Sequence, residues 1–101
     1  MPYAHPIERA ALIGGFRALA DYLEANPDVP APVSTDVYTF APNGGCEEMR
    51  AEINAIAALL GSQPRETAGH QHYAVTRSFG PVEYRAVAIC KNPDHHITRG
   101  R

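Results

Sequence analysis

The sequence has no long apolar run, and none approaches the roughly 20 residues that a helix needs to span a bilayer. Its opening stretch, MPYAHPIERAALIGG, lacks the basic start and the continuous apolar core of a signal peptide. There is no strong excess of either charge, since the net charge is −2. These absences argue against a membrane protein and against a protein dominated by phosphate contacts, which usually shows a basic face. They predict a cytoplasmic protein.

Cysteine is also scarce, with Cys46 at a predicted helix start and Cys90 at a predicted strand end. Cytoplasmic proteins rarely keep disulfides, so both side chains are expected as reduced thiols. A disulfide between them stays open, because sequence alone does not determine pairing.

The length of 101 residues is that of one domain with one core. Residues 1–6 are expected to form a flexible arm and residues 91–101 a flexible tail, since neither shows periodicity. Hydrophobic residues make up 45% and charged residues 20%, which is ordinary globular composition.

A β-hairpin is predicted around Gly80-Pro81, which separates two runs rich in β-branched and aromatic residues, 72–79 and 82–90. Glycine can adopt the positive φ that opens a type II′ turn, and proline supplies the negative φ that follows. A two-residue loop would pair Phe79 with Val82 and Tyr73 with Ala88. One face of the hairpin is then almost entirely apolar.

Two amphipathic helices are predicted upstream of the hairpin. From Ile7 to Ala25, large apolar residues recur with 4-3-4 spacing, and the same spacing recurs from Cys46 to Leu60, with Gly61 as the C-terminal stop. The first of these stripes includes Phe16. We expect both stripes to cover the apolar face of the hairpin.

A strand is predicted over Val33–Phe40, and a short edge strand is possible around Arg65–Thr67. Apolar groups on both sides of the first strand favour a central position or a covered second face. The predicted fold class is α+β, a two-layer sandwich of order α-β-α-β-β. It has a small, mostly antiparallel sheet with two helices on one face.

The second face of the hairpin is the leading candidate for a binding site, because it is polar near the turn and apolar at its far end. Exposed apolar groups on a sheet often mark a partner surface. We therefore predict a non-catalytic protein-interaction or regulatory accessory module without a cofactor. Its partner is a protein or a second copy, joined through this face or by edge-strand pairing. The predicted partner-binding residues are His72, Ala74, Arg85, Val87 and Ile89.

Histidines at the open end of the hairpin form a weaker candidate, because imidazoles from the strand and the tail could converge on zinc, nickel or copper. Solvated histidines explain the same residues more simply. The candidates are His70, His72, His95 and His96.

A second alternative is nucleic-acid association through a basic strip on the hairpin and tail, although the near-neutral total charge favours scattered solvated charges. The residues of this strip are Arg77, Arg85, Lys91, Arg99 and Arg101.

Enzyme function is not expected. Glu83 and Arg85 fit a cross-strand surface network better than an active site. Cys46 is followed by Glu47 and Glu48, which oppose the lowering of its thiol pKa.

Three stretches carry a resemblance: LIGGFRALADYLEANPDVPAP (12–32), AEINAIAALLG (51–61) and RSFGPVEYRAVAI (77–89). They are similar to a group of small proteins of unknown function from actinobacterial genomes, plasmids and phages. The resemblance covers most of residues 12–89 and implies a role in a mobile element or in the host response to one. It implies no catalytic residue.

Overall fold

The computed structural model describes residues 3–42, 44–67 and 72–90. Two helices and four strands follow one another, which confirms the α+β class and the predicted element order with the short edge strand added. They are α1 (Pro6–Ala25), β1 (Thr35–Phe40), α2 (Cys46–Leu60), β2 (Arg65–Thr67), β3 (His72–Phe79) and β4 (Val82–Ile89).

The chain divides into two compact units, the first ending at Val33 and the second beginning at Ser34. The first unit contains α1, whose N-terminus is closed by a capping box. His5 Nδ1 accepts a hydrogen bond from the Glu8 N–H at 3.4 Å, and Glu8 Oε1 accepts one from the His5 N–H at 3.2 Å. The helix begins at Pro6, the last residue of the segment expected as a flexible arm. The expected tail, residues 91–101, lies outside the described residues.

The apolar stripe of α1 is exposed, contrary to expectation. None of the helix's residues is buried, and Phe16 keeps 46% of its surface in water. The prediction that this stripe is buried is therefore wrong.

The four strands of the second unit form one sheet in the order β1-β4-β3-β2. β3 runs antiparallel to both β2 and β4, but β1 runs parallel to β4, with Thr35 beside Val82 and Phe40 beside Val87. The sheet is therefore mixed rather than mostly antiparallel. A parallel neighbour needs a long crossover, and the chain between β1 and the hairpin, which includes α2, supplies it.

The predicted hairpin is confirmed in its register. Phe79 pairs with Val82 and Tyr73 with Ala88. Gly80 has a φ of +63°, the conformation that the turn requires at its first corner. The side chains that face α2 are therefore those expected from the sequence.

Replacing Gly80 by alanine should lower the free energy of unfolding of the second unit by about 1–3 kcal/mol, because an L side chain at positive φ is strained. Urea unfolding followed by circular dichroism measures this loss.

Gly14→Ala is the matched control. It lies inside α1, where an added Cβ meets no atom within 4 Å. Alanine is favoured over glycine in a helix interior by about 1 kcal/mol, so this variant should not destabilise the protein. A Gly80→Ala variant as stable as wild type would contradict the proposed turn.

The core of the second unit lies between α2 and one face of the sheet. Ile53 is 0% exposed and packs with Val75, Ala86 and Ala88. Because Ala86 and Ala88 are small, one helix approaches closely enough to cover this face. Phe79, on the same face near the turn, stays 59% exposed.

Polar contacts fix α2 against the sheet at several points. The Tyr73 hydroxyl donates to Asn54 Oδ1 at 2.6 Å, and the Arg50 guanidinium lies 4.5 Å from the centre of the Tyr73 ring. Arg50 also pairs with Glu66 of β2, and Arg77 Nη1 donates to the Leu60 carbonyl at 3.1 Å. These bonds reach from β2 to the C-terminal end of α2.

A disulfide joins Cys46, the first residue of α2, to Cys90, which directly follows β4. The expectation of two reduced thiols is therefore wrong. The two Cα atoms lie 5.3 Å apart, within the usual range for a disulfide, because α2 begins beside the end of β4. Sequence alone did not place these two ends together.

Neither described helix combines the length and the apolar character that a membrane crossing requires.

Candidate interaction surface

The face of the sheet opposite α2, here called the outer face, gathers residues from all four strands. Partners in the register share a face, and side chains alternate along each strand. The outer face consists of Asp36, Tyr38 and Phe40 from β1, Glu83, Arg85, Val87 and Ile89 from β4, His72, Ala74, Thr76 and Ser78 from β3, and Arg65 and Thr67 from β2.

All five residues predicted from the sequence lie on this face. Val87 is buried, and Ile89 is 42% exposed. His72, Ala74 and Arg85 are half-buried. Ile89 pairs with His72 and Val87 with Ala74, so the apolar end of the predicted site is continuous.

Two residues that the prediction missed, Tyr38 and Phe40, extend the surface across β1. Their rings stack with centroids 5.8 Å apart and an angle of 6° between planes. Each residue keeps 52% of its surface exposed. The alternation of the sequence puts both on one side of the strand, but the pairing of β1 with β4 was needed to place them beside the predicted site. β1 is thus neither a central strand nor covered on this side.

A polar network borders the aromatic pair and is built around Arg85. Its Nη2 lies 2.8 Å from Glu83 Oε1 and 4.0 Å from Asp36 Oδ2. The Ser78 hydroxyl donates to Glu83 Oε2 at 3.0 Å. The Arg85 guanidinium also lies 5.9 Å from the centre of the Tyr38 ring, within cation–π range. The charged side chains around Arg85 and the aromatic rings therefore lie next to each other in one patch.

The network is not fully satisfied by the described chain. Arg85 Nε is buried and has no hydrogen-bond partner. An unpaired buried donor costs about 1–3 kcal/mol. Glu83 and the surrounding packing therefore hold the Arg85 guanidinium in place, while its Nε–H has no hydrogen-bond partner.

Of the four candidate metal ligands, the structure describes only His72, at the start of β3. His70, His95 and His96 lie outside the described residues. Within the ranges that are described, no group of three or more histidine, cysteine or acidic side chains could hold a metal ion.

The described part of the proposed basic strip is split between the two faces of the sheet. Arg77 pairs with Tyr84 on the side of α2, whereas Arg85 belongs to the outer face. Arg77 is engaged with the Leu60 carbonyl, and Arg85 with Glu83. The two arginines therefore do not form one surface. Lys91, Arg99 and Arg101 lie outside the described residues.

Two groups considered for catalysis are engaged in other contacts. The Cys46 sulfur is bonded to Cys90, and Glu83 is paired with Arg85 and Ser78. Thr76 lies beside Arg85 on the neighbouring strand.

Comparison of the chain with protein families, with curated proteins and with solved structures finds no match.

Proposed function

We propose that this protein is a non-catalytic interaction module that binds a protein partner through the outer face of its sheet. The observation that carries this proposal is the stacked Tyr38–Phe40 pair, half-exposed beside Arg85 and Ile89. Aromatic residues and arginine are the types enriched in protein interfaces and in their energetic hot spots. Scattered single apolar residues would need no such explanation, but these are contiguous.

The patch is large enough to contribute usefully to affinity. An aromatic side chain buries about 150–250 Å² in full, so the exposed half of each ring offers roughly 100 Å². At about 25 cal/mol per Å², covering one ring is worth about 2.5 kcal/mol. That corresponds to roughly a seventyfold change in dissociation constant.

The strand that carries the aromatic pair is hydrogen-bonded to β4 along its whole length, and such preorganisation lowers the entropic cost of binding. β4 is flanked by β1 and β3, and its inner face packs on α2. The disulfide fixes the chain directly after β4 to the start of α2. A partner would therefore meet side chains that are already ordered.

The disulfide also bears on location. Disulfides persist mainly in oxidising compartments and are rare in the cytoplasm. The Cys46–Cys90 bond therefore favours an oxidising compartment over the predicted cytoplasm. A role linked to a plasmid or phage rests on the sequence resemblance alone and stays a prediction.

Phe40→Ser should abolish capture of the partner by the immobilised protein from a lysate of the source organism. Serine removes the Phe40 ring, which stacks on Tyr38, without changing the charge. Mass spectrometry of the captured proteins, compared with wild type, identifies what is lost.

Phe79→Ser is the matched control, because Phe79 is as exposed as Phe40 but lies on the side of the sheet that faces α2. It should capture the same partner as wild type. Equal capture by both variants, or loss on Phe79→Ser alone, would contradict binding through the outer face.

A further inference from the structure

β1 is an edge strand, and one side of its backbone has no strand beside it in the described sheet. The Thr35 N–H bonds to the Pro81 carbonyl, and the Ala41 N–H bonds to the Val87 carbonyl. Because the direction of backbone groups alternates along a strand, the odd-numbered residues face β4. The N–H and C=O groups of Asp36, Tyr38 and Phe40 therefore point away from the sheet.

This edge lacks most of the devices by which proteins protect an open strand. Such edges usually carry charged side chains, above all lysine, or a proline, a bulge or a very short strand, or are covered by a helix or loop. β1 runs through six residues, TDVYTF, in unbroken register with β4; it contains neither lysine nor proline, and Asp36 is its one charged residue. Prolines stand only outside it, at Pro32 and Pro42. These two prolines limit pairing with another strand to the residues of β1.

We propose that β1 pairs antiparallel with β1 of a second copy, about a two-fold axis at Tyr38. This rests on the proposed function, and it names a second copy as the partner of the same surface. In this register Tyr38 faces Tyr38 of the second copy, and Asp36 faces its Phe40. Each of these is a hydrogen-bonded pair that exchanges both N–H···O bonds. All three outward-pointing residues then find partners in both copies.

Other arrangements either leave outward-pointing backbone groups of β1 without a partner or bring like charges together. An axis at Val37 or Thr39 leaves one of the three outward-pointing residues beyond the paired segment. Parallel pairing in register would place the two Asp36 carboxylates side by side, and like charges directly opposite destabilise a sheet. In the antiparallel register the two Asp36 Cα atoms are separated by about 14 Å along the strands.

The pairing would join the outer faces of two copies into one. Tyr38 and Phe40 of each copy become a continuous aromatic row across the axis, since the residues of a pair share a face. One pair of six-residue strands falls at the small end of specific interfaces, below about 1,200 Å². The dimer should therefore be weak and depend on concentration.

Sedimentation velocity of the full chain tests this pairing. We expect the dimer fraction to rise between about 10 μM and 1 mM, as for a small interface.

Tyr38→Lys should remain a monomer throughout, because lysine at the axis places two positive charges together. Asp36→Pro should also remain a monomer, because proline removes one N–H that points away from the sheet without removing any hydrogen bond to β4. Phe79→Lys, at a position outside β1 that is somewhat more exposed than Tyr38, should dimerise like wild type. Circular dichroism checks that each variant is folded.

Cysteine crosslinking tests the register. Tyr38→Cys should form a disulfide-linked dimer under mild oxidation, because paired Cα atoms about 5.5 Å apart allow the bond. Asp36→Cys should not, since its separation of about 14 Å exceeds the reach of a disulfide. Efficient crosslinking of Asp36→Cys with none of Tyr38→Cys would overturn the proposed axis.

The outcomes separate this inference from the proposed function. A wild-type chain that stays monomeric up to 1 mM overturns self-pairing. If Phe40→Ser still loses a different captured protein, the outer face remains a binding surface for that protein. A dimer that survives both Tyr38→Lys and Asp36→Pro overturns pairing through β1.

Discussion

Replacing Cys46 and Cys90 together by alanine is expected to lower the free energy of unfolding by about 4 kcal/mol. The bond closes a loop with a sequence separation of 44 residues, and a crosslink of that span removes much of the entropy of the unfolded chain. Small domains are stable by only about 5–15 kcal/mol in total. The variant should therefore be close to its stability limit. Guanidinium unfolding followed by circular dichroism gives the difference.

Reduced wild-type protein is the control for this variant. It keeps both sulfur atoms in place, so it separates the effect of the bond from that of the truncated side chains. Similar stabilities for the reduced protein and the double variant would assign the loss to the disulfide. A loss below about 1 kcal/mol in both would show that the bond constrains the fold little.

Ile53→Ala is expected to destabilise the second unit by about 2–5 kcal/mol. Ile53 is 0% exposed, at the point where α2 meets Val75 and Ala86. Removing its outer carbons leaves a cavity that the neighbouring Ala86 and Ala88 cannot fill, since their side chains are single methyl groups that cannot extend into it. Urea unfolding of the oxidised protein measures the change.

Leu59→Ala provides the comparison within the same helix, because Leu59 is 86% exposed. Its substitution should change the unfolding free energy by less than about 0.5 kcal/mol. If the two variants were equally stable, α2 would not pack on the sheet through the face that contains Ile53.

Local chemistry made the hairpin and α2 predictable from the sequence. Gly80-Pro81 sets both the turn and the register, since a two-residue loop leaves only one pairing for each strand residue. Gly61, with a φ of +70°, ends α2 where a left-handed glycine was expected. In each case the determining residues are neighbours along the chain.

Contacts between distant segments were not predictable. The parallel pairing of β1 with β4 and the Cys46–Cys90 bond both join residues more than 40 positions apart. Hydrophobic spacing also did not show that the stripe of α1 stays exposed, so Phe16 was wrongly expected to be buried. The spacing of apolar residues shows which face of a helix is apolar, but it does not show which element packs against that face.

The candidate site was likewise predictable only in part. The hairpin register was enough to group His72, Ala74, Arg85, Val87 and Ile89 on one face. Tyr38 and Phe40, its most exposed aromatic members, were missed because their neighbour is β4, which lies far along the chain. Asp36 was missed for the same reason, although it lies 4.0 Å from Arg85.

The most direct measurement is the dissociation constant of the outer face for its partner, in the wild type, Phe40→Ser and Phe79→Ser. Calorimetry with the captured protein, or sedimentation where the partner is a second copy, supplies it. Binding through the outer face predicts at least a tenfold weakening for Phe40→Ser and less than about a twofold change for Phe79→Ser. Equal affinities for the two variants would contradict it.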